Sequence, residues 1–492
     1  MRNTVVYASL ITWTLIACGG GGETTSPTHA PSLKVVSPIA ADTVVVVASD
    51  RLRVEVRDSS GQLAPGVHVQ FRIPLPAGET NLAMNGAYVC DASRSACATF
   101  TPTSSSVTNA ADAVSDASGI ASALLQHGLR AMTGSVEISA PSLNVSVAAP
   151  YTTLPGNLAS FVMSEADTSV YVGKSYPLVA HAADRLGNVR TEAVTIAAQT
   201  PNVATFANGQ VTAVAIGRGS FSVSAAGFVQ TAHVSVPPPG RLVASDRAQG
   251  SGLGLVLLDT DGGSRRSFAT TKGHVGFAFP GWSADDRRVT VLESGADGRA
   301  RIIAYDTATS ARTAPVDTVA FPETLEPSYP KTGTSMYFYG TRNGTQGVYR
   351  SNVDGSGAQF IVGGAFGIVS PDELALIIGR AAGLMKYDLG TAQETLVAVS
   401  NYTPFWAPAG DLIGYQVPNG SGVDLHVVRP DGSGDRLLAS GVYDARSFSP
   451  DGQWIATMGG GVGGVELVRV SDGLRLPVGG TSSFSQVAWR RE

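Results

Sequence analysis

The amino-acid sequence predicts an all-β chain of about three domains. Three observations carry that reading. Glycine supplies 57 of 492 residues, against a usual ~7%, so the backbone turns often. The first half holds Val-, Thr- and Ser-rich runs with period two, the mark of half-buried strands. From Arg241 onward one strand-turn-strand unit recurs, the mark of a repeat architecture. Composition then excludes several classes. Hydrophobic residues make up 43% and charged residues 15%, too apolar and too weakly charged for a disordered tail protein. Of 34 basic residues only five are lysine: Lys34, Lys174, Lys272, Lys331 and Lys386. A net charge of −5 argues against a general nucleic-acid binder, so no nucleic-acid partner is expected.

The N-terminal segment sets the compartment. Arg2 gives a positive start, and Val5 to Ala17 is a mostly apolar run too short for a stable transmembrane helix. It ends Leu15-Ile16-Ala17-Cys18, which resembles the lipobox of bacterial lipoproteins. The resemblance implies a signal peptide over residues 1–17, cleavage before Cys18, and lipidation of Cys18. One acyl chain holds a membrane only marginally, and two or more hold it firmly. The bland alternative is a secretory peptide with an incidental cysteine. Residues 18–32 follow as a flexible tether rich in Gly, Thr, Ser and Pro. Gly19 in place of aspartate implies, by the lipoprotein rule, the outer membrane of a two-membrane cell envelope. No later stretch approaches about eighteen apolar residues, so no further span is expected. Cys90 and Cys97 are expected to form a local disulfide in this exported, oxidising setting. A metal pair or two free thiols are the alternatives; the spacing fits no zinc pattern.

Residues 33–150 read as a run of strands and turns. Leu52-Arg-Val-Glu-Val-Arg57 has clean period two and leads to the turn Asp58-Ser-Ser-Gly61. Then come Pro65-Gly66-Val67-His-Val69-Gln-Phe71, Ser115-Asp116-Ala-Ser-Gly119-Ile120, and Gly134-Ser-Val136-Glu-Ile138. The succession resembles the group 1 bacterial immunoglobulin-like domain of invasins, which implies a β-sandwich. Residues 75–112 depart from that pattern as a long Ala/Ser/Thr-rich insert, expected to be partly irregular. Residues 157–236 carry Val170-Tyr-Val-Gly173-Lys-Ser175, Asp184-Arg-Leu-Gly187-Asn188, Pro201-Asn-Val203-Ala204-Thr205 and Gly209-Gln-Val211-Thr212-Ala213. These four motifs, in this order, resemble the group 2 bacterial immunoglobulin-like module. Gly173-Lys174-Ser175 is not the tail of a phosphate loop, because Thr168 stands where such a loop needs glycine and no helix pattern follows. Pro237-Pro238-Pro239-Gly240 then reads as a semi-rigid spacer.

Residues 240–492 repeat a unit built on Ser-Pro-Asp-Gly or a degenerate version of it. An aromatic or apolar anchor precedes each turn: Trp282, Tyr329, Val369, Trp406 and Phe448, at steps of 47, 40, 37 and 42, with 41 more to Trp489. Ser485-Gln-Val-Ala-Trp489 is a first strand with nothing after it. Arg241-Leu-Val-Ala-Ser245 and Leu255-Val-Leu-Leu258 are later strands with no first strand before them. Joining them completes a sixth blade and locks a ring, with residues 484–490 pairing against the N-terminal blade strands. The arrangement resembles the six-bladed propeller of the TolB family. The expected whole is two immunoglobulin-like β-sandwiches followed by a six-bladed β-propeller.

The chemistry is less legible. The chain holds no His-Glu-x-x-His and no Gly-x-Ser-x-Gly turn. Its seven histidines are scattered singly, and Gly459 to Gly464 reads as a hairpin loop, not a dinucleotide site. Asp-Gly pairs fit calcium less well than they fit hairpin turns, so no cofactor is expected. The expectation is therefore a non-catalytic, lipid-anchored envelope protein presenting its propeller to a protein or glycan partner. One alternative is a lyase or glycosidase using propeller carboxylates such as Asp246, Glu293 or Asp444. Another is a purely structural adhesion or assembly factor.

Overall fold

A computed structural model of the chain describes residues 29–37, 39–44, 50–75, 85–91, 108–246, 254–271, 280–283, 285–294, 298–400, 402, 404–420, 422–459, 464–481 and 484–491. The expected signal segment, Cys18, most of the tether and Cys97 lie outside the described residues. The chain falls into two compact units, Met1–Ser160 with Ala182–Thr191, and Phe161–His181 with Glu192–Glu492. Among the described residues the fold is all-β; the one helical element is a single 3-10 turn at Pro141–Leu143.

In the first unit, two sheets enclose one core. One sheet runs in the order Ser32–Val35, Asp50–Arg57, Ile120–His127, Ala87–Asp91. The other runs Asp42–Thr43, Val145–Leu154, Met132–Ala140, His68–Arg72, Ala110–Val114. Period-two strands bury one face and wet the other. In His68–Arg72, Val69 and Phe71 are buried while His68, Gln70 and Arg72 are exposed. Leu52, Val54 and Val56 meet Val69, Phe71, Val136 and Ile138 in the shared core. The Asp-x-x-Gly turns have a local cause. Asp58 Oδ1 accepts the backbone N–H groups of Ser60 and Gln62 at 2.8 and 3.1 Å. Asp116 Oδ1 does the same for Ser118 and Ile120 at 2.8 and 3.0 Å. Gly61 and Gly119 then take the left-handed φ of 77° and 68° that closes each turn. Cys90 lies in the strand Ala87–Asp91 and is disulfide-bonded.

The second unit opens with a small four-stranded sheet in the order Asp167–Ser169, Phe228–Val236, Gly217–Ala225, Thr195–Ala198. A three-stranded sheet accompanies it: Ser175–Pro177, Gln210–Ala213, Ala204–Ala207. Gly173 (φ 79°) turns the chain into Ser175–Pro177. The proline run packs against the strands around it. Pro237 and Pro238 are buried, and the Thr260 hydroxyl donates to the Pro238 carbonyl at 2.5 Å. The Tyr171 hydroxyl joins that joint, 3.1 Å from Thr260 Oγ1. Burial of Pro237 and Pro238 makes this a packed joint, with Pro239 exposed.

From Arg241 onward the described strands form six blades of four strands each, two of them sharing a strand. Blade one combines the late strand Phe484–Trp489 with Arg241–Asp246, Gly254–Asp259 and Arg266–Thr270. Its seam is antiparallel, pairing Leu242 with Trp489, Val243 with Ala488 and Ala244 with Val487. Blades two, three and four start at Gly281–Trp282, Thr324–Ser328 and Gly367–Val369. Blade five starts at Phe405–Trp406. Blades five and six share one 13-residue strand, Arg436–Phe448, which ends blade five and begins blade six. The chain passes between the two blades through bulges at Val442/Asp444 and Ala445/Ser447.

The repeat's turn explains its own sequence. In blades two, four and six a serine hydroxyl donates to the aspartate two residues on, as Ser283 to Asp285 and Ser370 to Asp372, both at 2.6 Å, and Ser449 to Asp451. The same hydroxyl accepts the backbone N–H five residues on, at 3.1, 3.0 and 2.9 Å. The next position is left-handed in blades two to six: Asp286, Gly333, Glu373, Gly410 and Gly452, with φ from 52° to 75°. Where glycine is replaced, the carboxylate ties neighbouring parts of the ring together. Glu373 of blade four accepts Ser335 Oγ at 2.6 Å, Arg350 Nε at 2.8 Å and Tyr337 OH at 3.0 Å, all from blade three.

Candidate functional site

The first strand of each blade faces a common cavity of about 520 Å³ at the middle of the ring. Its wall holds one periodic anchor from every blade: Trp489, Trp282, Tyr329, Val369, Trp406 and Phe448. In the sequence these positions mark only the repeat. The signal that they share a wall lay in the same spacing, because equivalent positions of a closed ring converge on its axis. Trp282, Phe448 and Trp489 are buried, while Tyr329 and Trp406 are partly exposed. The Trp406 indole N–H donates to the Ile368 carbonyl of blade four at 3.1 Å. The indole N–H groups of Trp282 and Trp489 are buried without a protein acceptor. Burial raises the Tyr329 phenol well above its ordinary value, and its hydroxyl turns to the Met336 sulfur at 3.3 Å.

Prolines and charges complete the cavity. Pro280, Pro327, Pro371, Pro404, Pro408 and Pro450 lie on the wall. Pro327 lies within an inner edge strand, which has no further ladder to join, while Pro371, Pro408 and Pro450 lie in the turns that follow the inner strands. The charged lining residues are Glu326, Lys331, Arg446 and Arg491. Glu326 occupies a left-handed φ of 51° at the bulge between Leu325 and Ser328. A non-glycine residue there costs roughly 1–2 kcal/mol of backbone strain. Arg446 pairs with Asp444 at 3.1 Å. Arg491 reaches blade three, donating to the Tyr329 and Pro330 carbonyls at 3.2 and 3.4 Å.

The three candidate carboxylates sit in different blades. Asp246 ends the second strand of blade one. Glu293, in blade two, is 1% exposed. It accepts Arg312 Nε at 3.0 Å, Arg312 Nη2 at 2.6 Å, and the Tyr305 hydroxyl. That hydroxyl is raised far above its usual range by burial and by the Glu293 carboxylate. Asp444 is held by Arg446 on the shared strand of blades five and six. Glu293 and Asp444 thus serve ion pairs within the sheet framework, and none of the three lines the central cavity.

The Asp-Gly turns commit their carboxylates locally. Asp354 accepts Ser356 N–H and Oγ at 2.9 and 2.7 Å, and Asp431 accepts Ser433 N–H at 2.9 Å. These bonds hold both carboxyls below the ordinary range. Asp472 is held down to about 2 by the Arg469 guanidinium. Among the described residues no group of three or more His, Cys, Asp or Glu side chains is placed to hold a metal ion. Among them, too, no helix is long and apolar enough to cross a membrane.

No protein-family model matches the chain. A curated relative, the Tol-Pal system protein TolB of Gluconobacter oxydans, is 31% identical over 97 residues, 18% of this chain and 21% of that protein. The match therefore spans about a fifth of the relative's length, and over it the chain is TolB-like. Among solved structures, TolB from Acinetobacter baumannii is similar with a TM-score of 0.44 and 19% identity, over 56% of this chain and 80% of that one. Oligogalacturonate lyase from Vibrio parahaemolyticus is similar with a TM-score of 0.33 and 10% identity, over 48% of this chain and 78% of that one.

Proposed function

We propose that this chain is a lipid-anchored cell-envelope protein that binds a partner at the central cavity of its propeller without transforming it. One observation carries the reading: every blade contributes its anchor to a single cavity of about 520 Å³ whose wall is aromatic, proline-rich and fringed by charge. Such a concave, mostly apolar surface with a few polar groups is what recognition sites present. The strained Glu326 on that wall supports it, because strain is retained where a surface is used. The 97-residue likeness to a Tol-Pal system protein favours a protein partner over a glycan.

In this reading residues 33–150 and 157–236 are immunoglobulin-like modules of groups 1 and 2 that serve as a stalk, and residues 240–492 are the binding head. Residues 1–17 are the signal peptide and Cys18 carries the lipid, with the outer membrane as the address. Cys90 closes its disulfide with Cys97.

The test uses the full-length protein in a diderm bacterial host. Trp406→Ala should abolish recovery of envelope proteins that cross-link to the wild type, with unfolding unchanged. Equal recovery by the variant would falsify the cavity as the binding site. Cys18→Ala should move the protein out of the membrane fraction; retention there refutes the anchor.

A further inference from the structure

We infer that a second, smaller cavity, between blade six and the four-stranded sheet that opens the second unit, is a binding site for a small zwitterion, an α-amino acid. It shares no lining residue with the central cavity, and the inference does not depend on that cavity binding anything. Its volume is about 290 Å³. The strands Asp167–Ser169, Phe228–Val236 and Gly217–Ala225 lie side by side and form one wall. Their register sets Asp167 beside His233, Ser169 beside Ser235, and Arg218 on the other side of Ser235. Paired residues on neighbouring strands share a face, as do residues two apart on one strand. Asp167, Ser169, Arg218, His233 and Ser235 therefore project from one face, and all five line the cavity. Blade six supplies the opposite wall, with Glu466, Val478 and Gly479 among its residues.

This face suits a polar guest better than dry packing. Ala232, Val234 and Val236, on the other face of the same strand, are buried apolar residues. On the cavity face, His233 Nδ1 and Ser169 Oγ are buried without a hydrogen-bond partner. A buried polar atom left unpaired costs roughly 1–3 kcal/mol, so two in one small cavity call for a guest that bonds to them. The charges specify that guest. The Glu466 carboxylate is already taken by Arg475, from Nε at 2.8 Å and from Nη2. Asp167 and Arg218 have no ion pair or side-chain hydrogen bond among the described residues. They stand on the two strands that flank Phe228–Val236, about 9–10 Å apart across two strand spacings. The wall thus offers one unpaired anion and one unpaired cation, held apart. A simple anion would meet Asp167, and a simple cation would meet Arg218. A molecule with an ammonium at one end and a carboxylate at the other satisfies both, the carboxylate on the arginine fork. The volume lies at the small end of the roughly 300–1,000 Å³ of ligand pockets, which suits an amino acid, and such pockets favour junctions between packed bodies.

Isothermal titration of the full-length protein tests this with glycine, L-alanine and L-glutamate as probes. Acetate and methylamine, which carry one charge each, are the controls. At least one amino acid should bind, and neither control should. Arg218→Ala should weaken that binding about tenfold or more, through loss of a charge-assisted bond. Gly479→Val keeps every charged group and fills the cavity instead. A Cβ at Gly479 meets the Ser169 Cβ at 3.8 Å, an ordinary contact, so the fold accommodates it. That variant should lose binding at an unchanged unfolding midpoint. No heat from any of the three amino acids overturns the inference. Acetate binding as tightly as glycine overturns it too, because the site then reads a carboxylate alone. Binding that survives both substitutions unchanged removes it from this cavity.

Discussion

The two-sheet sandwich of the first unit and the propeller bury their strands differently, and the difference decides what each can do. In the sandwich, His68–Arg72 alternates buried and exposed residues along its whole length. In the propeller, Gly254–Asp259 buries its first five residues in succession, as does Trp454–Gly459, and Phe484–Trp489 buries all six. A blade packs against a neighbour on both faces, so its strands read as continuous apolar runs, as strands covered on both faces do. The sandwich closes over one core. The propeller has several cores, each lodged between blades: Leu242, Trp454 and Trp489 share one, and Phe405 and Phe448 another. Side chains fixed on both faces cannot drift, and that rigidity holds six anchors around one cavity. A one-sided sheet offers no such convergence, which suits it to spacing.

Separate cores should melt separately. Trp489→Ala removes a side chain that is 3% exposed from the core next to the ring seam, and should cost about 3–5 kcal/mol. Phe71→Ala removes a fully buried ring from the sandwich core, with a similar expected cost of about 3–5 kcal/mol. In urea unfolding of the full chain, each change should shift one transition and leave the other in place. A single transition that both substitutions move together would break the comparison, because it would make the two cores one cooperative unit.

Much of this was legible in the sequence, for a physical reason. Turn chemistry is local, so Asp58 to Gly61 and Ser449 to Gly452 announce themselves in four residues each. Repeat spacing is also local to read, and it yields blade number and seam together. The cavity was half legible. The anchors were visible, but their convergence is a property of the closed ring. Glu373 and Asp286 were not legible, because a carboxylate in a turn looks like any solvated charge until its partners in another blade are known. Arg491 escaped for the same reason, since its acceptors are backbone carbonyls that any residue could supply. The candidate carboxylate Glu293 looked available because nothing in the sequence announces Arg312 as its partner.

A smaller effect tests whether the blades are joined by specific contacts as well as by packing. Glu373 has its carboxyl held below the ordinary range: burial alone would raise it, but the Ser335, Arg350 and Tyr337 bonds outweigh that. A depressed folded value contributes stability above the unfolded value, and that stability is lost as pH falls through the folded value. Glu373→Gln should therefore cost about 1–3 kcal/mol at neutral pH, as expected for hydrogen bonds to a charged group. The gap from wild type should close as pH drops below the usual carboxylate range. Chemical denaturation at pH 7 and pH 3 measures it, and a gap of equal size at both values would show that Glu373 acts through shape alone.

The smallest effect concerns blades that lack the stitched turn. Blade five reads Ala407-Pro408-Ala409-Gly410 where blade six reads Ser449-Pro450-Asp451-Gly452. The backbones already agree. Gly410 N–H donates to the Ala407 carbonyl at 2.9 Å, as Gly452 does to Ser449 at 2.9 Å. Ala407 N–H donates to the Leu412 carbonyl at 2.9 Å, as Ser449 does to Trp454 at 2.7 Å. The frame therefore forms without the side chains, and the Ser-Asp pair is an addition to it. Installing the pair as Ala407→Ser with Ala409→Asp should stabilise the propeller transition by about 0.5–1.5 kcal/mol. Ala407→Ser alone should destabilise, because it buries a hydroxyl at a position that is 2% exposed without its aspartate partner. That reversal of sign, read as two opposite shifts of the same midpoint, separates a stitch from a mere preference for small residues.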